Sequence, residues 1–279
     1  MTVYALIPVF NRLELTRRVI GYLRTQCVDE PMKLIVINDG STDGTREFLA
    51  GEKDVTVLDG DGHLWWGGAI DLGLRYVLSE GNPQDWVLLA NNDTRLVSDF
   101  VQGLLDAART HAPAAVGSVI CDEAEPDYVT SVGVVFDTWR LHTRDSLKQK
   151  RRRDPARCPH PVDALSGRGT LYPLEAFRSV GTMKPNWLPH YLADYELAIR
   201  VRKAGYRLLV SERSAVLSTS EYGNAWQPSG LREKFFSIRS PSYLPAVFMF
   251  WWRASSWIER FSLLPRLVYW SLDLRGLTQ

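Results

Sequence analysis

The sequence predicts an α/β fold: a mostly parallel sheet with helices on both faces, followed by a C-terminal helical extension rich in aromatic residues. Three observations carry that expectation. Short apolar runs alternate with helical periodicity through the first part of the chain, the rhythm of right-handed crossovers in a doubly wound sheet. The run 86–90, Trp-Val-Leu-Leu-Ala, has no polar alternation, as expected of a strand covered on both faces. From residue 243 onward the composition shifts to Phe248, Phe250, Trp251, Trp252, Trp257, Phe261 and Trp270, with arginines between them.

The elements follow in order. Residues 3–7 read as a strand ended by Pro8, and 13–23 as a helix with Leu15, Val19, Ile20 and Leu23 on one face. Residues 33–37 form a second strand, 43–50 a short helix, 55–58 a third strand, 68–78 a helix and 86–90 a fourth strand. Asn91, Asn92 and Asp93 then lead into a helical pattern. After residue 114 the rhythm changes, and 116–121 and 132–136 read as strands of a mixed region. Residues 144–157 are polar and strongly basic, through Lys148, Lys150, Arg151, Arg152, Arg153 and Arg157. They suggest a mobile loop, either simply solvated or in contact with anionic lipid or an acceptor phosphate. Order returns over 162–172. A helix over 191–204 is closed by Gly205, and 206–210 form a further strand.

The 279 residues are 45% hydrophobic and 23% charged, enough for a full-sized core. A formal net charge of +1 gives no global attraction to nucleic acid. Cys27, Cys121 and Cys158 are scattered without paired spacing, which points to a reducing compartment and to neither a disulfide framework nor a zinc site. The N-terminus enters a strand at once with no sign of a signal peptide. No run reaches the roughly 18 apolar residues of a membrane span.

Three early strands end on polar groups: Pro8-Val9-Phe10-Asn11-Arg12, Asn38-Asp39-Gly40-Ser41-Thr42-Asp43, and Asn91-Asn92-Asp93. Asn and Asp favour turns and helix caps. In a parallel sheet these ends also share one edge, where open α/β sheets bind ligands. An Asp there suits a ribose or base, and an Asp near a diphosphate suits a divalent cation. No Gly-x-Gly-x-x-Gly opens the first helix and no Walker lysine follows a glycine-rich loop, so a dinucleotide dehydrogenase or P-loop enzyme is not expected.

The segments IPVFNR, VINDGSTDGT, LLANNDT and DYELAIRVRKAGYRL, in this order and at these intervals, resemble family 2 glycosyltransferases of the Rossmann-like GT-A fold. GDGHLWWGGAIDLGLRY further resembles a bacterial branch that decorates surface polysaccharides. The resemblance implies inverting transfer of a hexosyl or deoxyhexosyl group from a UDP- or dTDP-linked donor to a glycan or lipid-linked glycan, usually with Mg²⁺ or Mn²⁺. It implies a catalytic domain over 1–225, with a nucleotide-binding half (1–115) and an acceptor and catalytic half (116–225), and an extension over 226–279. The implied location is cytoplasmic, peripheral on the inner face of the membrane if the tail is interfacial; the other reading of the tail is a helical pair packed on the domain.

Residue by residue, the resemblance places Asp39 on the nucleoside, with Pro8, Phe10 and Asn11 bordering the base. Asp43 and Thr45 are expected to cap the next helix. Trp65, Trp66, Gly67 and Gly68 form a donor-side wall, although tryptophans are equally common in a core. Asn91-Asn92-Asp93 stands where the family has Asp-x-Asp, with Asn92 on the donor and Asp93 the metal ligand. The family's frequent later His is missing from Val216-Leu217-Ser218-Thr219-Ser220. Gly167, Arg168 and Gly169 fall beside the diphosphate and acceptor, and His190 and Tyr191 near the acceptor. Asp194 is the implied general base, with Ala193 where an acid is common and Glu196 facing the acceptor. Two rival readings remain: a sugar-nucleotide nucleotidylyltransferase, whose basic glycine-rich N-terminal loop is missing here, and a non-catalytic nucleotide- or glycan-binding subunit, against which Asp39, Asp93 and Asp194 together argue.

Overall fold

A computed structural model of the chain describes residues 1–218 and 227–273. The chain opens with β1 (Val3–Val9), α1 (Leu13–Arg24), β2 (Met32–Asn38), α2 (Thr45–Ala50), β3 (Val55–Asp59), α3 (Trp65–Glu80) and β4 (Trp86–Leu89). β1 lies between β2 and β4, parallel to both, and β3 extends the sheet parallel to β2. Alternate residues of these strands feed two cores. Leu6, Ile35 and Leu89 pack with Ile70 and Leu74 of α3, while Ala5, Val36 and Leu88 pack with Val19 and Ile20 of α1. Both faces are therefore covered, which is why the strands read as unbroken apolar runs.

The second half is mixed. It comprises β5 (Arg95–Leu96), α4 (Phe100–Thr110), β6 (Ala114–Asp122), β7 (Tyr128–Ser131), β8 (Val134–Asp137), β9 (His142–Asp145), β10 (Arg151–Arg152), β11 (His160–Pro161), β12 (Thr170–Pro173), α5 (Leu174–Val180), α6 (Ala193–Lys203) and β13 (Arg207–Ser218). β12 runs antiparallel between β4 and β6 and joins the halves into one sheet. β13 lies parallel to β6.

Several boundaries differ from expectation. β5 intervenes before the helix expected directly after Asp93. α3 starts at Trp65 and α6 at Ala193. The basic segment 144–157 is held, not loose: β10 pairs with β7, and Arg151 and Arg157 converge on Glu212 of β13. The Arg151 Nη1 contact is 2.7 Å and the Arg157 Nε contact 3.1 Å. Glu212 is buried, and a buried carboxylate demands such partners.

The C-terminal extension holds α7 (Leu231–Phe236), α8 (Leu244–Ala254), α9 (Trp257–Phe261) and α10 (Leu263–Asp273). α8 is packed: Phe250 and Trp251 are buried among Phe136 and Tyr195. α9 and α10 turn polar groups inward, where Glu259 accepts from the Thr138 hydroxyl and Arg266 donates to the Thr138 and Trp139 carbonyls. Their apolar side chains Trp257, Phe261, Leu264, Val268 and Tyr269 are exposed.

Candidate active site

The C-terminal ends of β1, β2 and β4 meet at one edge. The Asp39 N–H donates to the Val9 carbonyl (2.8 Å). Asn11 receives from Thr42 N–H (2.9 Å) and donates its own N–H to Ser41 Oγ (2.8 Å). Phe10 is exposed and Pro8 half-buried beside them. Asp39 is buried, and its carboxylate accepts from the backbone N–H groups of Gly62 (2.9 Å), Leu64 (3.3 Å) and Trp65 (3.2 Å). Asp39 thus pins the loop that opens α3. A carboxylate has about four acceptor positions, and these amides take three of them. Gly44 stands at the cap position of α2 with no side-chain bond of its own. Asp43, one residue earlier, serves the helix start as expected: it accepts from the first helical N–H, that of Thr45 (3.2 Å), and from Thr45 Oγ1 (2.6 Å), and it also reaches across to Leu13 N–H at the start of α1 (2.9 Å).

The Asn91-Asn92-Asp93 turn divides its work. Asn91 Oδ1 accepts from the Trp66 indole N–H (3.0 Å). Asn92 is buried and donates to Thr16 Oγ1 of α1 (3.3 Å), so its amide faces the helix packing and not the donor side. Asp93 Oδ2 accepts from Arg12 Nη1 at 3.0 Å. Its Oδ1 is buried and has no hydrogen-bond partner among the described residues.

Asp194 stands in the first turn of α6. Its Oδ2 accepts from Gly167 N–H (2.9 Å) and its Oδ1 from Tyr195 N–H (2.9 Å). Burial pushes its carboxyl above the usual range, against these amides and the nearby Arg168 charge, which pull it down. Gly167 is required by contact: a Cβ there would lie 2.1 Å from Cζ2 of Trp66. Gly67 donates to the Pro189 carbonyl (2.7 Å), and a Cβ on it would meet the Leu188 oxygen at 2.5 Å. Gly68 is buried beside Leu64, and Gly169 donates to the Leu89 carbonyl (2.9 Å). His190 sits against Trp65 and Tyr191, with ring centroids at 5.8 and 4.5 Å. Burial depresses its pKa, and its Nδ1 is buried without a partner among the described residues.

Glu196 departs from its expected place at the acceptor. It is buried and forms a two-pronged bond with Arg200 Nε, 2.9 Å to each oxygen. Arg200 in turn donates to the carbonyls of Val180 and Thr182 (2.7 and 2.9 Å). This locks α6 onto the segment after α5. The helical period explains it: the Glu196 position rotates inward from Asp194, and i,i+4 pairing with Arg200 is geometrically natural.

The sequence profile of glycosyl transferase family 2 matches residues 4–178 of this chain. The chain belongs to glycosyl transferase family 2. This glycosyltransferase is 29% identical over 216 residues to an uncharacterised protein of Mycobacterium tuberculosis H37Rv, covering 75% of this chain and 71% of the relative. It is 25% identical over 266 residues to the N-acetylglucosaminyl-diphospho-decaprenol L-rhamnosyltransferase of the same organism, covering 85% and 83%. Solved structures share the GT-A fold. GalNAc-T7 with UDP, GalNAc and Mn²⁺ matches at a TM-score of 0.63 and 13% identity, over 86% of this chain and 49% of that one. S. aureus TarS 1–349 with UDP-GlcNAc matches at 0.57 and 13%, over 85% and 64%. This chain thus spans about half the length of the GalNAc-T7 chain.

In this glycosyltransferase the structure brings Pro8, Phe10, Asn11, Asp39 and Asp93 to one sheet edge, and joins it to Asp194 by a continuous path. Asn91 bonds Trp66, the Trp66 ring packs against Gly167, and Gly167 bonds Asp194. The path is not visible in sequence, because its members come from four distant segments. Backbone strain was equally hidden. Asn11, Arg12, Trp65 and Leu192 hold positive φ (58°, 65°, 57° and 66°), and each flanks the site. Such strained residues cluster at functional sites. Ser218 ends β13, whereas Thr219 and Ser220 lie outside the described residues.

Proposed function

We propose that this glycosyltransferase inverts the anomeric centre as it moves a hexosyl or deoxyhexosyl group from a UDP- or dTDP-linked donor to a glycan or lipid-linked glycan, in synthesis of a bacterial surface polysaccharide. The carrying observation is Asp194: a carboxylate aimed by the Gly167 and Tyr195 amides, its pKa raised by burial, and coupled through Trp66 to the donor edge. The mycobacterial relative is named for transfer of L-rhamnose to a diphospho-decaprenol sugar, which supports a lipid-linked acceptor here.

The nucleoside lies at Pro8, Phe10, Asn11 and the remaining acceptor position of Asp39. The acceptor hydroxyl approaches Asp194 beside Arg168, His190 and Tyr191. Burial disfavours the charged form of His190, and its ring Nδ1, without a partner among the described residues, can accept from a second hydroxyl. Asp194 takes the proton of the attacking hydroxyl as the new bond forms. Attack opposite the leaving diphosphate passes through an oxocarbenium-like state and inverts the centre. Arg168 offers a guanidinium to phosphate oxygens.

A divalent cation fits at Asp93, whose Oδ1 is buried without a partner among the described residues. No group of three His, Cys, Asp or Glu side chains gathers there among the described residues, so most of the coordination would come from the donor's phosphates. When bound, the cation supplies positive charge against the departing diphosphate.

A membrane surface is the proposed site of action. It is supported by the exposed Trp257, Phe261, Leu264, Val268 and Tyr269 on α9 and α10, with Arg260 stacked 5.1 Å over Trp252. Tryptophan and arginine together suit the headgroup zone. Among the described residues no helix is long and apolar enough to cross a membrane.

Asp194→Asn tests the mechanism. It keeps size and one of the two accepting oxygens but removes basicity, so kcat should fall by roughly 10²- to 10⁴-fold with nucleotide affinity preserved. NMR of the wild-type product should show an inverted anomeric centre. Retained configuration, or an active Asp194→Asn variant, would refute the assignment.

A further inference from the structure

We propose that Arg12 is a resident counter-cation for Asp93, one that makes divalent-cation binding conditional on the nucleotide diphosphate. The inference rests on the donor site proposed above and concerns how that site is loaded.

Arg12 is fixed at its backbone. It holds a left-handed conformation (φ 65°) between β1 and α1. Its carbonyl accepts from Thr16 N–H (3.0 Å) and Thr16 Oγ1 (3.1 Å). The neighbouring Leu13 N–H is held by Asp43. Its side chain crosses from the β1 end to the β4 end and places Nη1 3.0 Å from Asp93 Oδ2. The guanidinium is 48% exposed while the Asp93 side chain is only 12% exposed. The cation is therefore the solvent-facing member of the pair, within reach of an arriving ligand, whereas the carboxylate is enclosed.

A divalent cation arriving alone at Asp93 Oδ1 meets a guanidinium on the same carboxylate. The two positive charges repel, and one carboxylate cannot satisfy both. Too few other anionic side chains gather there to share them. A diphosphate changes the balance. Its oxygens bind the planar fork of Arg12, which matches phosphate geometry, and supply ligands to the cation. Arg12 moves from carboxylate to phosphate, and the cation takes over Asp93. Every charge keeps an opposite partner throughout, and no bond is made or broken covalently. Cation affinity and nucleotide affinity are then linked reciprocally.

Mn²⁺ binding to the intact protein, followed by electron paramagnetic resonance with and without UDP, reads this directly. Wild type should bind Mn²⁺ weakly alone and much more tightly with UDP. Arg12→Gln should bind Mn²⁺ alone roughly 1.5- to fivefold more tightly than wild type, the range expected for loss of one partly exposed charge, and should gain less from UDP. Arg12→Lys keeps the charge and should follow wild type in the nucleotide-free titration. Equal Mn²⁺ affinity of wild type and Arg12→Gln without UDP overturns the proposal, as does Mn²⁺ binding to neither protein with UDP present. Calorimetry of UDP in saturating Mn²⁺ separates the two readings. If wild type binds no UDP there, the donor site is wrong, while the nucleotide-free comparison still decides the role of Arg12.

Discussion

A single carboxylate, Asp194, is held in two opposing ways, and the opposition sets a pH profile. Burial raises its pKa, while the Gly167 and Tyr195 amides and Arg168 lower it. The base works only when deprotonated, so kcat should fall as pH drops through this raised pKa. The acid limb should therefore lie above the ordinary aspartate range of about 4. Arg168→Met removes a pull toward the charged form. The pKa then rises further, and the acid limb of kcat should move to higher pH. A pH series of kcat for the two proteins checks the direction, and an unmoved or downward-shifted limb would disconnect Arg168 from the base. Asp39 carries a comparable double duty, because the group expected to meet a nucleoside also fastens Gly62, Leu64 and Trp65.

The helix α6 separates two acids that the sequence sets only two residues apart. Asp194 faces the site, and Glu196 is enclosed with Arg200. A buried pair that loses one partner leaves an uncompensated charge, at a cost of about 3–5 kcal/mol. Glu196→Ala should lower the urea midpoint accordingly, while nucleotide affinity in the folded fraction changes little. If stability holds and kcat collapses instead, Glu196 belongs to the chemistry and the reading of α6 fails. The neighbouring loops depend on the same helix, since Gly67 bonds Pro189 and Gly167 bonds Asp194.

At the scale of the molecule, the extension serves two purposes that composition alone blends together. α8 completes the core through Phe250 and Trp251, each worth about 1.5–3 kcal/mol on burial. α10 is anchored by Leu263 and Leu267, buried in the same core, while Trp257 and Phe261 of α9 point outward, 70% and 83% exposed. The intact protein should float with anionic vesicles. The double variant Trp257→Glu, Phe261→Glu should not float, and it should still bind UDP, because neither side chain supports the core. A wild-type protein that stays at the bottom of the gradient removes the membrane reading.

What the sequence determined by itself was whatever is local or periodic. Unbroken apolar runs specified doubly covered strands, and Val19, Ile20 and Leu23 specified the buried face of α1, where Thr16 and not the expected Leu15 completes the buried set. NDGSTDGT and NNDT marked the strand ends as a polar edge, because a parallel sheet brings such ends together whatever else the chain does. The tertiary structure alone decided which polar groups face that edge. Asn92 turned to Thr16 and Glu196 to Arg200, because each found a buried partner that sequence distance conceals. The basic segment became ordered because Glu212, sixty-one residues from Arg151, needed its charge met. The link from Asn91 through Trp66 and Gly167 to Asp194, and the pairing of Arg12 with Asp93, likewise required the folded sheet. Periodicity fixes which way a residue faces along its own element, but only packing between elements fixes what it meets there.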